Sequence, residues 1–224
     1  MVTIPSSIYR LGRFLFVVLV VCCLPCLRPN AAAVSYTPPD IAQLFISIPS
    51  DMLPLLDEAW RRDLIGLYRA GKEARLQNLL KGFSHLQTLT SDYLFLRTTT
   101  SATFELKLLP LADTAAILCL VTTVSAPVPD SRIAFFTTGW KPLDASLFFT
   151  PPIPSDFLLS SPTPPADLLA YLDILLIHYR LSPEAVTLSA TYTTPLYLDE
   201  SRRIALTPFL TPPHTYTWDG ARFR

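Results

Sequence analysis

The chain is short of the residues that most catalytic and cofactor sites are built from. It has 4 cysteines, and three of them, Cys22, Cys23 and Cys26, sit together near the start. Cys119 is alone in the remainder. One thiol cannot close an internal disulfide, and the apolar run Ile117–Val124 around it raises the thiol pKa and suppresses the nucleophilic thiolate. The 3 histidines, His85, His178 and His214, are far apart in sequence, and none falls at metal-ligand spacing. With 6 glycines in 224 residues, there is no glycine-rich cradle for phosphate. No G-x-S-x-G elbow, H-E-x-x-H pair or G-x-G-x-x-G turn occurs. The expectation is therefore no metal and no cofactor.

The first 33 residues carry a different message. Arg10 and Arg13 precede the uninterrupted apolar run Phe14–Leu24, and Ala31–Ala33 follows as a small-residue cleavage site. That order is the pattern of a secretory signal peptide, and the apolar run is shorter than the ~20 residues needed to span a bilayer. The expected organisation is a leader over 1–33 and a single exported domain over 34–224, with no stable membrane span after cleavage. The leader would take three of the 18 basic residues and none of the 18 acidic ones. What remains is mildly acidic and has no clustered basic stripe of the kind that holds nucleic acid. Roughly 190 residues can bury about 70% of the surface their unfolded chain exposes, enough for a domain without staples.

The body is organised around the stretch Leu89–Leu143. Asp92–Thr99 and Ser131–Thr138 alternate, and Thr103–Leu109 alternates most cleanly, placing Phe104, Leu106 and Leu108 on one face and Glu105 and Lys107 on the other. That spacing predicts a strand buried on one side and wet on the other. Ile117–Val124 is continuously apolar, which suits a central strand covered on both faces. Short connections join these segments, so a four-stranded antiparallel meander over about 91–140 is expected.

Around it, Ala42–Ile48 reads as a short strand with Ser50-Asp51 as a helix cap. Asp57–Tyr68 reads as a helix with Trp60, Leu64 and Leu67 in one stripe and Gly71 as its stop. Lys72–Phe83 fits either a second helix or an irregular cover. Six prolines between 151 and 165 exclude a helix or central strand over the connection 150–165. Ala166–Tyr179 is expected to be a buried helix, Ala185–Thr194 a strand and Leu198–Leu206 a short helix. Asp219-Gly220 predicts a two-residue hairpin turn pairing Tyr216 with Phe223. The fold class is thus α+β: a meander sheet with helices packed on it, extended at the C-terminus by a helix, a strand and a hairpin.

Candidate functional residues are few. Asp92 and Asp130 are expected to cap turns at strand starts, with Arg132 in reach of either. A dispersed triad of Ser131, His85 and Asp92 is the hydrolase alternative, though nothing singles those three out. The aromatics Tyr93, Trp140, Tyr216 and Trp218 are the candidate binding residues if one side of the sheet is uncovered, and core residues if it is not.

The strings LTSDYLFL, ELKLLPLADTAAILCLVTTVSAPVPDSRIAFF and TTPLYL, with the terminal W-x-G-x-x-F, resemble an uncharacterised exported family of Bacteroidales, a domain of unknown function. The resemblance extends over nearly the whole body of the chain. It implies the periplasm or outer surface of a Gram-negative bacterium, and it brings no activity, catalytic residue or cofactor. Helices followed by a four-stranded meander also look like the unit of β-lactamase-inhibitor proteins, an analogy of fold alone. The combined expectation is a non-catalytic binding or assembly protein of the cell envelope, whose partner is an envelope protein or a glycan.

Overall fold

A computed structural model describes residues 39–111 and 115–224; the expected leader lies outside the described residues. The meander is present and larger than the sequence suggests. Seven strands, β1 (Arg75–Gln77), β2 (Phe83–Leu89), β3 (Tyr93–Arg97), β4 (Ala102–Pro110), β5 (Ala116–Ser125), β6 (Pro129–Thr137) and β7 (Pro142–Leu143), lie side by side in chain order. Every neighbouring pair is antiparallel, as connections too short for a crossover require. The four expected strands are β3 to β6, and the sheet continues past both edges. Lys72–Phe83 is neither helix nor irregular cover throughout, because it contains β1. Buried Asn78 holds the following turn by donating its side-chain amide to Ser84 Oγ (3.1 Å) and to the Thr98 carbonyl (3.0 Å). In β2 the residue buried beside Leu86 is Ser84, so the strand lacks the apolar alternation that announces one.

One face of the sheet presents Leu94, Leu96, Phe104, Leu106, Leu118 and Leu120 to two helices, α1 (Ile41–Ile46) and α2 (Glu58–Arg69). The strand expected at 42–48 is thus a helix. Its run is apolar without alternation, and such a short run carries no period to separate the two states. Asp40 decides the matter locally by accepting the Ala42 N–H at 3.0 Å. Asp57, not Ser50-Asp51, caps α2, through the Trp60 N–H at 2.8 Å.

The opposite face is partly roofed by a second antiparallel sheet of β8 (Ile177–Leu181), β9 (Thr187–Tyr192) and β10 (His214–Thr217), in the order β10-β9-β8. This corrects the expected helix over Ala166–Tyr179: only α3 (Ala166–Leu169) is helical, and the chain enters β8 at Ile177. A stretch apolar on all sides serves a sandwiched strand as well as a buried helix. The deciding alternation, Ile177, Tyr179 and Leu181 buried against exposed Arg180, begins only in the last three residues of the helical reading. After β9 come α4 (Thr194–Tyr197) and α5 (Glu200–Leu206), the latter inside the expected 198–206. Phe157, from the proline-rich connection, is buried and stacks on Tyr192 (ring centroids 5.0 Å). The closing hairpin exists in another register. Trp218, not Tyr216, faces Phe223, and Asp219 Oδ1 accepts the Ala221 and Arg222 N–H groups with Gly220 at φ +95°. Those bonds stabilise a four-residue loop in place of the two-residue turn. The α+β class stands, with sheets of seven and three strands.

Candidate functional site

Three of the four candidate aromatics, Tyr93, Trp218 and Tyr216, belong to the core under the second sheet, and Trp140 lies apart on the helix side. Trp140 is buried on the helix side, where its indole N–H donates to the Leu44 carbonyl at 3.1 Å. Trp218 is buried on the other side and donates to the Pro110 carbonyl at 2.6 Å. Tyr216 is exposed only in part and meets Phe149 edge-on at 5.1 Å. Tyr93 is buried beside Glu105. The dispersed triad is also unassembled. His85 and Ser131 stand four strand positions apart on the sheet, roughly 19 Å at ~4.8 Å per strand. Asp92 is bound to Lys107 (2.9 Å).

Glu105 and Lys107 are the largest departure from expectation. Alternation assigns them to a wet face, yet each is 1% exposed. The reason is the roof: β8 crosses the sheet over them. β8 is an edge strand, so alternate N–H groups along its free side have no strand to bond. The large sheet supplies side-chain acceptors instead: Asp130 Oδ1 for Ile177 N–H (3.2 Å), Ser131 Oγ for Tyr179 N–H (3.0 Å) and Glu105 Oε2 for Leu181 N–H (3.0 Å). Asp130 therefore accepts a backbone N–H as expected of it, but from β8 and not from its own turn. Glu105 Oε2 also accepts the Tyr93 hydroxyl (3.0 Å), while Oε1 is buried without a hydrogen-bond partner, 4.0 Å from Arg180 Nε. Burial raises the Glu105 pKa above its ordinary value against the lowering pull of the Leu181 N–H, Arg180 and Tyr93. Burial, and next the charge of Glu105, push the Tyr93 phenol and the Cys119 thiol up, so neither ionises readily.

Beyond the roof the same face is open. Across β1 to β6 one row of directly opposed residues runs Arg75, His85, Arg97, Thr103, Thr123, Ser131. Its roofed end is satisfied internally, Thr123 and Ser131 sharing a hydroxyl bond of 2.8 Å. Its open end is Arg75, His85 and Arg97 on adjacent strands, with Glu73 4.0 Å from the Arg75 guanidinium. Two hollows lie on the row and meet at Arg97. One, of about 340 Å³, is lined by Glu73, Arg75, Phe83, His85 and Arg97; the other, of about 190 Å³, by Arg97, Thr103, Glu105, His178 and Arg180. Aromatic rings steady two of the guanidiniums: Arg75 lies 4.0 Å above Phe83 and Arg180 lies 5.8 Å from Phe95. Burial first, and then Arg180, lower the His178 pKa, which keeps that ring neutral. No group of three or more His, Cys, Asp or Glu that could hold a metal occurs among the described residues. No helix among them is long and apolar enough to cross a membrane.

Sequence reading missed this row because Arg75, His85 and Arg97 form no motif. They become neighbours only through strand register, and two of their three strands were not foreseen. Recognising β2 would not have sufficed, because the register beside the turn, Leu89 with Leu94 and Thr88 with Phe95, leads on to Thr98, and a bulge between Leu86 and Thr88 is what sets His85 against Arg97.

Fold and face together define an α+β domain of three layers, with helices, a seven-stranded meander and a partial β roof that leaves a basic strip of sheet uncovered. The chain belongs to the family described as protein of unknown function (DUF3256), which it matches over residues 33–223. It is similar to a solved domain of an uncharacterised protein from Porphyromonas gingivalis W83, at 32% identity and a TM-score of 0.73, covering 82% of this chain and 98% of that one. No curated protein matches it.

Proposed function

We propose that this chain is a non-catalytic binding or assembly module of the Gram-negative cell envelope, engaging its partner through the uncovered strip of the large sheet. The observation that carries the reading is the row Arg75–His85–Arg97. It sets two arginines either side of a histidine on adjacent strands, beside two hollows, with Glu73 within reach of Arg75 at one end. The exposed Arg97 between the two hollows suits an acidic partner, which complementary charge would steer and orient. Export is supported by the leader pattern over 1–33, and the family match begins where that leader ends. The Porphyromonas relative fits a Gram-negative setting.

The test is retention of envelope material on the immobilised chain, compared with the double variant Arg75→Gln, Arg97→Gln. A component held by the native chain and released by the variant supports the reading; identical retention by both refutes it. Fractionation with N-terminal sequencing checks the location, the expected result being a periplasmic or surface chain beginning near Val34.

A further inference from the structure

We infer that the smaller hollow is an oxyanion site, seating one carboxylate or phosphate group of the partner between Arg97 and Arg180, against the Glu105 carboxyl. The inference rests on the reading above and names the group that the uncovered strip takes. The hollow lies where two layers meet: Arg97 and Thr103 come from β3 and β4 of the large sheet, and His178 and Arg180 from β8, the edge of the roof. Two guanidiniums from different layers thus share a space of about 190 Å³, room for about six water-sized groups and not for a chain. Arg97 takes part in neither ion pair of this face, Arg75 with Glu73 and Arg180 with Glu105, each at 4.0 Å. The two pairs differ. Glu73 is exposed beside Arg75 in the larger hollow, which is left out of the site. Glu105 is 1% exposed, and burial holds it toward its uncharged form, so Arg180 lacks a full counter-charge.

The carboxyl is also set to donate. Its Oε2 accepts from the Leu181 N–H and the Tyr93 hydroxyl, each at 3.0 Å, which leaves Oε1 to carry the proton. Oε1 is buried with no hydrogen-bond partner and lies 4.0 Å from Arg180 Nε. That gap is too long for a hydrogen bond, yet one oxygen atom between the two accepts from both at about 2.8 Å. The exposed Arg180 has room to shift outward as the group enters, and the remaining oxygens of the anion are left for Arg97 on the same hollow.

The experiment is a titration of the purified chain followed by backbone amide shifts, with N-acetylglycine, inorganic phosphate and neutral N-acetylglycinamide as probes, at mildly acidic pH and low salt. N-acetylglycine or phosphate is expected to bind saturably with a Kd of about 1 mM, moving the amides of Thr103 and Arg180, while the neutral probe moves neither. The tighter of the two acids identifies the source as a carboxylate or a phosphate. Arg97→Gln and Arg180→Gln are each expected to weaken binding about tenfold, the loss of one charge-assisted contact, with an unchanged melting temperature that certifies their fold. Glu105→Gln keeps an N–H donor toward the hollow and is expected to bind within about threefold of the native chain. Tighter binding than that would mean that a charged Glu105 opposes the anion, and either departure overturns its part in the site. Equal binding of N-acetylglycine and N-acetylglycinamide, or arginine variants that bind undiminished, overturns the inference. No binding by any probe overturns it too; if the native chain still retains envelope material that the Arg75→Gln, Arg97→Gln variant releases, the uncovered strip stands without this site. Loss of both results removes the face itself.

Discussion

Glu105 and Arg97 occupy the same face of one sheet, on adjacent strands, and alternation treats them alike. One is 1% exposed beneath β8 and the other is open to solvent. In the roofed half, polar side chains act as structural parts. Asp130, Ser131 and Glu105 satisfy the free edge of β8, and Lys107 meets Asp92 at 2.9 Å and the Pro183 carbonyl at 3.5 Å. In the open half, Arg75, His85 and Arg97 stand on adjacent strands, and Arg75 has only the exposed contacts with Glu73 at 4.0 Å and the Phe83 ring at 4.0 Å. Buried polar groups must be satisfied from within the fold, whereas exposed ones are free to meet something outside it. A polar residue on a sheet face is therefore architecture or site according to what lies over it.

Substitutions can break that contrast. Glu105→Ala should have the largest effect, because it strands the Leu181 N–H and the Tyr93 hydroxyl and opens a void; about 3–4 kcal/mol is expected from two orphaned donors, read as a fall in the urea midpoint. Asp92→Ala leaves the buried Lys107 ammonium without its partner, and a loss of about 3 kcal/mol follows. Here Lys107→Met should recover most of it in the double variant, since an apolar chain of similar length removes the stranded charge.

The pH dependence sharpens the comparison further. The folded pKa of Glu105 lies above its ordinary value of 4.5, so the folded chain keeps this proton after the unfolded chain has released it. Stability from this group is full below pH 4.5 and declines as pH rises through the folded pKa. Subtracting the urea-midpoint profile of Glu105→Gln should remove that downward component; an unchanged profile would contradict the buried, desolvated state of the carboxyl. The smallest effect belongs to the open half, where Arg97→Gln should shift stability by no more than about 0.5 kcal/mol. A loss comparable to that of Glu105→Ala would mean the two halves do not differ.

Much of the scaffold was legible in advance. Phe104, Leu106 and Leu108 announce β4 by alternation, the unbroken ILCLV run marks β5 as central, and the Trp60–Leu64–Leu67 stripe marks α2, though not its cap. The errors share a cause. Ala42–Ile48 and Ala166–Tyr179 are apolar without a period, so the local pattern is compatible with either regular state, and the Asp40 cap in one case and pairing with β9 in the other made the choice. The candidate site was not legible, because its residues come ten and twelve positions apart on ordinary alternating strands. Conspicuous aromatics such as Trp140 and Trp218 drew attention and went to the core.

From its own order of residues this chain determined which segments are extended, which positions share a face, and that short connections lay the central strands antiparallel. Those are local matters, set by side-chain period and connection length. Only the tertiary structure decided that β8 would lie over Glu105 and Lys107 and stop short of Arg97 and His85. Burial depends on contacts between segments some 76 residues apart, as the Glu105–Leu181 bond is, and no local pattern encodes which layer will come to rest on which half of a sheet.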